Sequence, residues 1–228
     1  MMRHMNVLVT GASGGLGGVV SCAFMGAGHR IAGVARNWRP DQTAEGFFAL
    51  TADLGDAVAA KDAVDEAKVL LGSIDAVVHT VGGFFGGPKV EETPLEDAQR
   101  MFAMNYWSAF HLARAVLPVF REQGAGRFVA IGALAAGTQP PGLSAYAASK
   151  AALRSLVYSI AHETKGTAIT ANLISPGTMD TRANRNAMPD ADPAQWIPPK
   201  HVASLALWLC GPDAASVTGQ DFAVTGRD

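Results

Sequence analysis

Two residues in the C-terminal half of this chain carry its clearest chemistry. Tyr146 and Lys150 stand four residues apart in the run Tyr-Ala-Ala-Ser-Lys. At roughly 3.6 residues per helical turn, that spacing puts both on one helix face, one turn apart. An ammonium beside a phenol favours the ionised phenol, so the pair is suited to giving or taking a proton near neutral pH. The plainer alternative is a helix with a buried Tyr and a surface Lys that share no task.

A second constellation lies near the N-terminus. Gly11-Ala12-Ser13-Gly14-Gly15-Leu16-Gly17 follows a short β-branched run and opens a helical one. Glycines let backbone approach a pyrophosphate, and a helix N-terminus offers unpaired N–H groups. The alternative is only a tight strand-to-helix turn; the βαβ setting favours a dinucleotide. The next strand ends Gly33-Val34-Ala35-Arg36-Asn37. A carboxylate there would bond the ribose hydroxyls of NAD and repel the 2′-phosphate of NADP. Ala35 and Arg36 stand instead, and an Arg fork pairs with phosphate, which favours NADP(H) over NAD(H). A solvated surface Arg is the other reading of that position.

The elements that must position these groups alternate. Apolar runs predict strands at Asn6–Thr10, Arg30–Ala35, Phe47–Ala52, Ala76–Thr80, Arg127–Ile131, Ala168–Ile174 and Asp221–Val224. Helices are expected over Gly15–Ala27, Ala57–Leu71, Leu95–Phe120, Leu143–Thr164 and Lys200–Cys210. This pattern predicts an α/β chain: one Rossmann-type domain over residues 1–228, doubly wound, with a mostly parallel seven-stranded sheet. The stretch Asn37–Gly46, with Pro40, is short for a crossover helix and reads as a turn or stub. Pro176 to Pro199 has no periodicity and is expected to be a loop over the substrate.

Composition excludes several classes. The chain has 228 residues, 49% hydrophobic and 17% charged, which suits a folded domain rather than a disordered chain. A net charge of −2 without a basic block argues against a nucleic-acid partner. The apolar stretch after Met1-Met2-Arg3-His4-Met5 is too short for a signal core or a membrane span. Cys22 and Cys210 are far apart and lack metal-ligand spacing, so no metal is expected and the expected setting is the cytoplasm.

Together the glycine motif, Asn105, the Tyr146/Lys150 pair and Pro176-Gly177 resemble, in order and over most of the chain, the short-chain dehydrogenase/reductase family. The resemblance implies roles. Tyr146 would be the general acid/base, and Lys150 would bond the nicotinamide ribose and lower the Tyr pKa. Asn105 would hold a helix kink and a water leading to Lys150. Thr178, after Pro176 and Gly177, would lie near the carboxamide of nicotinamide. Asp53 resembles the residue that bonds the adenine amino group; alternatively it is the N-cap of the following helix. Thr80-Val81-Gly82-Gly83 sits where the family has Asn-Asn-Ala-Gly, and only the glycines Gly82 and Gly83 carry over. Ser13, Leu16, Leu54 and Thr181 complete the implied cofactor site.

One position departs. The family has a Ser thirteen residues before the Tyr, and here that residue is Ala133. Loss of one such donor to a developing oxyanion typically costs on the order of 10²–10³ in rate. Ser144 and Ser149 flank the Tyr but are expected to pack or cap rather than replace it. Dihydropteridine reductases, a branch of this family, have Ala at that position and keep Tyr and Lys. The chain resembles them again in Gly82-Gly83-Phe84-Phe85-Gly86-Gly87 and in Met179-Asp180-Thr181 with the run Asn184–Asp192 and Trp196. Those reductases prefer NADH and have an acid where Ala35 stands, so their cofactor preference does not carry over.

The expected function is therefore an NAD(P)H-dependent oxidoreductase passing hydride to a planar conjugated or quinonoid small molecule. Phe84, Phe85 or Trp107 could stack on such a ring or simply pack as core or lid. The competing readings are a carbonyl/alcohol reductase of 3-oxoacyl type without its Ser, and a non-catalytic dinucleotide sensor. For the former, Arg182, Arg185 and Lys200 are the basic candidates, offset by Asp180, Asp190 and Asp192. The helices expected at Leu95–Phe120 and Leu143–Thr164 are the pair that resembling proteins use to form dimers, so a homodimer or homotetramer is expected.

Overall fold

β-branched runs bounded by glycine turns build the central sheet, seen in a computed structural model that describes residues 4–38 and 45–226. The strands are β1 (Asn6–Thr10), β2 (Arg30–Ala35), β3 (Phe47–Thr51), β4 (Ala76–His79), β5 (Ala125–Ile131), β6 (Ala168–Pro176) and β7 (Asp221–Val224). They lie in the order β3-β2-β1-β4-β5-β6-β7. Every neighbouring pair is parallel. The expected sheet is thus present, and it is wholly parallel rather than mostly so. Residues 39–44, and with them most of the connection expected to be a turn or stub, lie outside the described residues.

Parallel strands need crossovers, and these cover both faces. On one face, α2 (Ala57–Leu71), α4 (Ser108–Gln123) and α6 (Ser144–Glu163) pack Val64, Leu112, Leu153 and Val157 on Leu8, Val77 and Phe128. On the other, α1 (Gly15–Gly26) and α8 (Pro199–Cys210) pack Val20, Phe24, Val202 and Leu209 on Val7, Val78 and Ile174. Asp56 caps α2 by accepting from the N–H groups of Val58 and Ala59, and Gly72 ends it at φ 86°. Asp53 is therefore not that cap; its carboxylate accepts from Gly55 N–H at 2.9 Å. The strand order reverses between β1 and β4, and in sheets of this type that switch point is where ligands bind.

Two expectations need correction. The helix expected over Leu95–Phe120 is three pieces: α3 (Leu95–Phe102), a π-helical turn (Ala103–Trp107) and α4. One extra residue in the π turn shifts the helical phase by roughly 100°. Apolar residues flank the shift on both sides, so the periodicity does not reveal it. The 176–199 stretch is also not structureless. It holds α7 (Arg182–Ala187) and a 3₁₀ turn (Pro193–Gln195), and a parallel bridge ties Met179 to Ile197. Another short helix, α5 (Ala135–Thr138), follows β5 directly.

Candidate active site

At the switch point a groove of about 510 Å³ runs over the C-terminal ends of β1, β2, β3 and β4. Of the expected cofactor residues it brings together Gly11, Ser13, Arg36, Asp53, Leu54 and Gly82. Asn37, Arg100, Met104 and Ser108 line it too, and sequence reasoning did not reach them as site residues. Arg100 and Ser108 sit on either side of the π turn, so only the corrected helix phase turns both toward the groove.

The glycine turn is built by contact, not only by flexibility. Gly11 adopts φ 71°, and a Cβ on Gly17 would stand 2.1 Å from Gly11 O. The two glycines thus touch backbone to backbone. Gly14, at the N-cap of α1, has no side chain to cap the first turn. Leu16 is buried beneath the turn. Thr181 caps α7 and packs its Cβ 3.3 Å from the point where a Gly15 side chain would begin, so the 176–199 segment meets the glycine turn. Pro176 ends β6, Gly177 N–H donates to Val224 O at 3.0 Å, and Thr178 O accepts from Ile197 N–H at 2.8 Å. A glycine cradle, a helix N-terminus and a cation at the far end together fit a phosphorylated dinucleotide.

Beside the groove α6 carries Tyr146 and Lys150. Lys150 is buried and its Nζ donates to Ile131 O at 2.8 Å. Gly82 admits it, since a Cβ there would lie 3.1 Å from Nζ and 2.9 Å from Asn105 Oδ1. Asn105 is wholly buried on the π turn. Its Oδ1 accepts from Gly83 N–H at 2.9 Å, and its Nδ2 donates to Ser149 Oγ at 3.0 Å. Ser149 in turn donates to Tyr146 O at 2.7 Å. Ser149 is therefore neither a packing filler nor a helix cap but the link between Asn105 and the Tyr146 turn.

The titration of the pair differs from the expectation. Burial pushes the Tyr146 hydroxyl up to about 12 and the Lys150 ammonium down to about 8. Desolvation outweighs the attraction of cation for phenolate, and Lys150 points its Nζ at a strand carbonyl. In the protein alone the Tyr is not shifted towards neutrality.

Three aromatics were candidates to face the substrate, and they separate. Phe84 stands edge-on to Tyr146, ring centres 5.0 Å apart, and is 66% exposed. Phe85 turns the other way, under the Arg100 guanidinium at 5.9 Å. Trp107 stacks on His111 of α4 and meets its neighbour Tyr106 in the π turn and Phe110 on α4. Its neighbours are thus those of a helix surface, not of Tyr146. Of the basic candidates, Arg185 is engaged with Asp180 in a bidentate pair. Ala133 is buried two residues beyond the carbonyl that holds Lys150. The nearby Ser175 hydroxyl is sealed in the core with no hydrogen-bond partner, 2.5 Å from where a Gly132 Cβ would be.

This chain belongs to the short-chain dehydrogenases, whose family model matches residues 5–192. It is thus an oxidoreductase on a single-domain Rossmann-like fold, in a family whose members bind NAD(P)H. It is 31% identical to the 2,3-dihydro-2,3-dihydroxybenzoate dehydrogenase of Escherichia coli, covering 97% of this chain and 95% of that one. Among solved structures, the NADP-bound ElxO superimposes with a TM-score of 0.91 at 20% identity, covering 97% of each chain. The 3-ketoacyl-(acyl-carrier-protein) reductase of Brucella melitensis, complexed with NADH, gives 0.85 at 23% identity, covering 96% of this chain and 95% of that one. Among the described residues no helix is long and apolar enough to cross a membrane.

Proposed function

We propose that this chain is an NAD(P)H-dependent reductase resembling dihydropteridine reductase, which passes hydride to a planar conjugated or quinonoid acceptor. The observation that carries the reading is the absence of a hydroxyl at Ala133, with the neighbouring Ser175 hydroxyl sealed in the core. A ketone gathers charge on one oxygen and needs more than one donor there. A quinonoid ring spreads the charge over several atoms, so one proton is enough. The dinucleotide supplies the hydride. Tyr146 supplies the proton and Lys150 binds the adjoining ribose. Asn105 holds the helix turn behind them, and Phe84 offers an exposed face beside the Tyr146 ring for a flat substrate.

The turn of Gly11, Ser13, Gly15, Leu16 and Gly17 and the segment from Pro176 through Thr181 would hold the dinucleotide, which would supply hydride. Asp53 and Leu54 would hold its adenine, and Gly82 and Gly83 would back its ribose. Arg36, exposed at the groove with no acid at Ala35, favours NADP(H). A second reading, a reductase of ordinary carbonyls working without its Ser, is supported by the dehydrogenase names of the relatives. The surface that Trp107, ending the π turn, forms with Phe110 and His111 of α4 supports pairing into a dimer, and the setting we infer is the cytoplasm.

The deciding experiment is steady-state turnover with NADPH. Wild type is expected to reduce quinonoid dihydropterin, and Tyr146→Phe to abolish that activity. If Ala133→Ser strongly raises turnover of simple ketones at no cost to the dihydropterin, the carbonyl reading replaces ours. Tight NADPH binding with no hydride acceptor at all would make the chain a sensor.

A further inference from the structure

Beneath the groove runs a polar chain that the hydride chemistry does not use. His79 ends β4 and is wholly buried. Its Nδ1 lies 2.8 Å from Thr10 Oγ1 and its Nε2 lies 3.3 Å from Ser108 Oγ. Ser108 gives its one hydroxyl proton to Met104 O at 2.6 Å, so towards His79 it can only accept. The network therefore assigns the ring proton to Nε2 and leaves Nδ1 to accept from the Thr10 hydroxyl. Donation runs one way, from Thr10 through His79 and Ser108 to Met104. Burial and the charge of Lys150 keep the ring neutral, with its pKa pushed down to about 3.

The two ends of this chain lead to two different elements of the groove. Thr10 directly precedes Gly11, and its carbonyl also accepts from Thr80 Oγ1 at 2.7 Å. Met104 lines the groove from the π turn that carries Asn105, and Ser108 lines it from the first residue of α4. His79 does not itself line the groove. We propose that His79 is a positioning residue for the cofactor: a neutral imidazole strut that sets the distance between the glycine turn and the π turn. The proposal rests on the reading of this groove as the dinucleotide site. An apolar residue would fill the same space but leave the Thr10 hydroxyl without an acceptor. Gln reaches the Nε2 position and can keep the Ser108 end alone.

The test is NADPH affinity by fluorescence titration, beside Tm, for wild type and His79→Leu, His79→Gln, Thr10→Val and Ser108→Ala. Val77→Ala, a core cut in the same strand, serves as the control. His79→Leu is expected to weaken binding by about tenfold or more, His79→Gln to recover part of it, and Thr10→Val to weaken it by about threefold. Ser108→Ala added to His79→Leu is expected to change little further, because the chain acts as a unit. Val77→Ala should lower Tm and leave affinity within about twofold. Affinities within about twofold of wild type for both His79→Leu and Thr10→Val would overturn the proposal, whatever their Tm. Should His79→Leu fail to fold, Thr10→Val and His79→Gln decide by the same criterion. Failure of wild type to bind NADPH or NADH would sink the dinucleotide reading and this proposal with it. Wild-type binding with indifferent variants would sink this proposal alone.

Discussion

Asn105 and Gly83 hold each other by two opposed hydrogen bonds. Gly83 N–H donates to Asn105 Oδ1 at 2.9 Å, and Asn105 Nδ2 donates back to Gly83 O at 3.1 Å. The side-chain amide behaves as a strand partner for a loop that has none, and it ties the glycine loop to the π turn. Because Nδ2 also reaches Ser149, this amide sets the loop against the Tyr146 turn.

Asn105→Ala removes all of these bonds and strands buried partners. A loss of about 2–4 kcal/mol of stability is expected, with a fall in turnover larger than the fall in NADPH affinity. Chemical denaturation together with single-turnover kinetics checks both. A variant as active as wild type would show that the amide only braces the fold.

Gly17→Ala is diagnostic through its sign. Ala in a helix is ordinarily favoured over Gly by about 1 kcal/mol. Here the new Cβ would stand 2.1 Å from Gly11 O, so the glycine turn must open. Loss of dinucleotide binding by about 100-fold is expected, with no gain in Tm. Calorimetric titration with NADPH measures it, and unchanged affinity would mean that the turn is not the phosphate cradle.

Lys150→Met should stabilise the protein without cofactor at neutral pH. Burial lowers the folded-state pKa of Lys150 from 10.5 to about 8. Between those two values the unfolded chain holds a proton that the folded one has released, so stability rises with pH across that window. Below it the full penalty applies, on the order of 3 kcal/mol. The gain in Tm from Lys150→Met should therefore be largest below about pH 8 and fade by about pH 10.5. Turnover should be lost in the same variant.

His79 predicts the opposite limb. Its folded-state pKa falls from 6.5 to about 3. Between those values the unfolded chain takes up a proton that the folded one refuses, so stability falls as pH falls. His79→Asn should flatten that slope. Urea titrations at several pH values measure it, and equal slopes for the two proteins would mean that the ring charges freely in the fold.

Arg36→Ala tests the cofactor preference. The KM for NADPH should rise by about tenfold while that for NADH stays within about twofold. Equal use of both cofactors by wild type would contradict the assignment to NADP(H).

Much of the fold was legible in the sequence because its signals are local. Each strand is a short, mostly apolar run, and the glycines after Thr10 stop β1 and start α1 within a few residues. The four-residue spacing of Tyr146 and Lys150 likewise needs only helical geometry. The π turn was not legible in the periodicity, because one residue inserted into an apolar run leaves apolar residues on either side; only the family resemblance implied a kink at Asn105. His79 was not legible either, since its partners Thr10 and Ser108 are 69 and 29 residues away. The short elements within 176–199 depend on the Met179–Ile197 bridge, which no local pattern announces.

The residues by themselves determined the order of parallel units, the glycine turn and the presence of a phenol and an ammonium on one helix face. Those follow from backbone sterics and periodicity, which act over a few positions. Tertiary structure alone decided what burial does to the charges, because desolvation depends on what closes around a group. It parted Phe84, Phe85 and Trp107 onto three different surfaces. It also seated the Ser175 hydroxyl in the core, away from solvent.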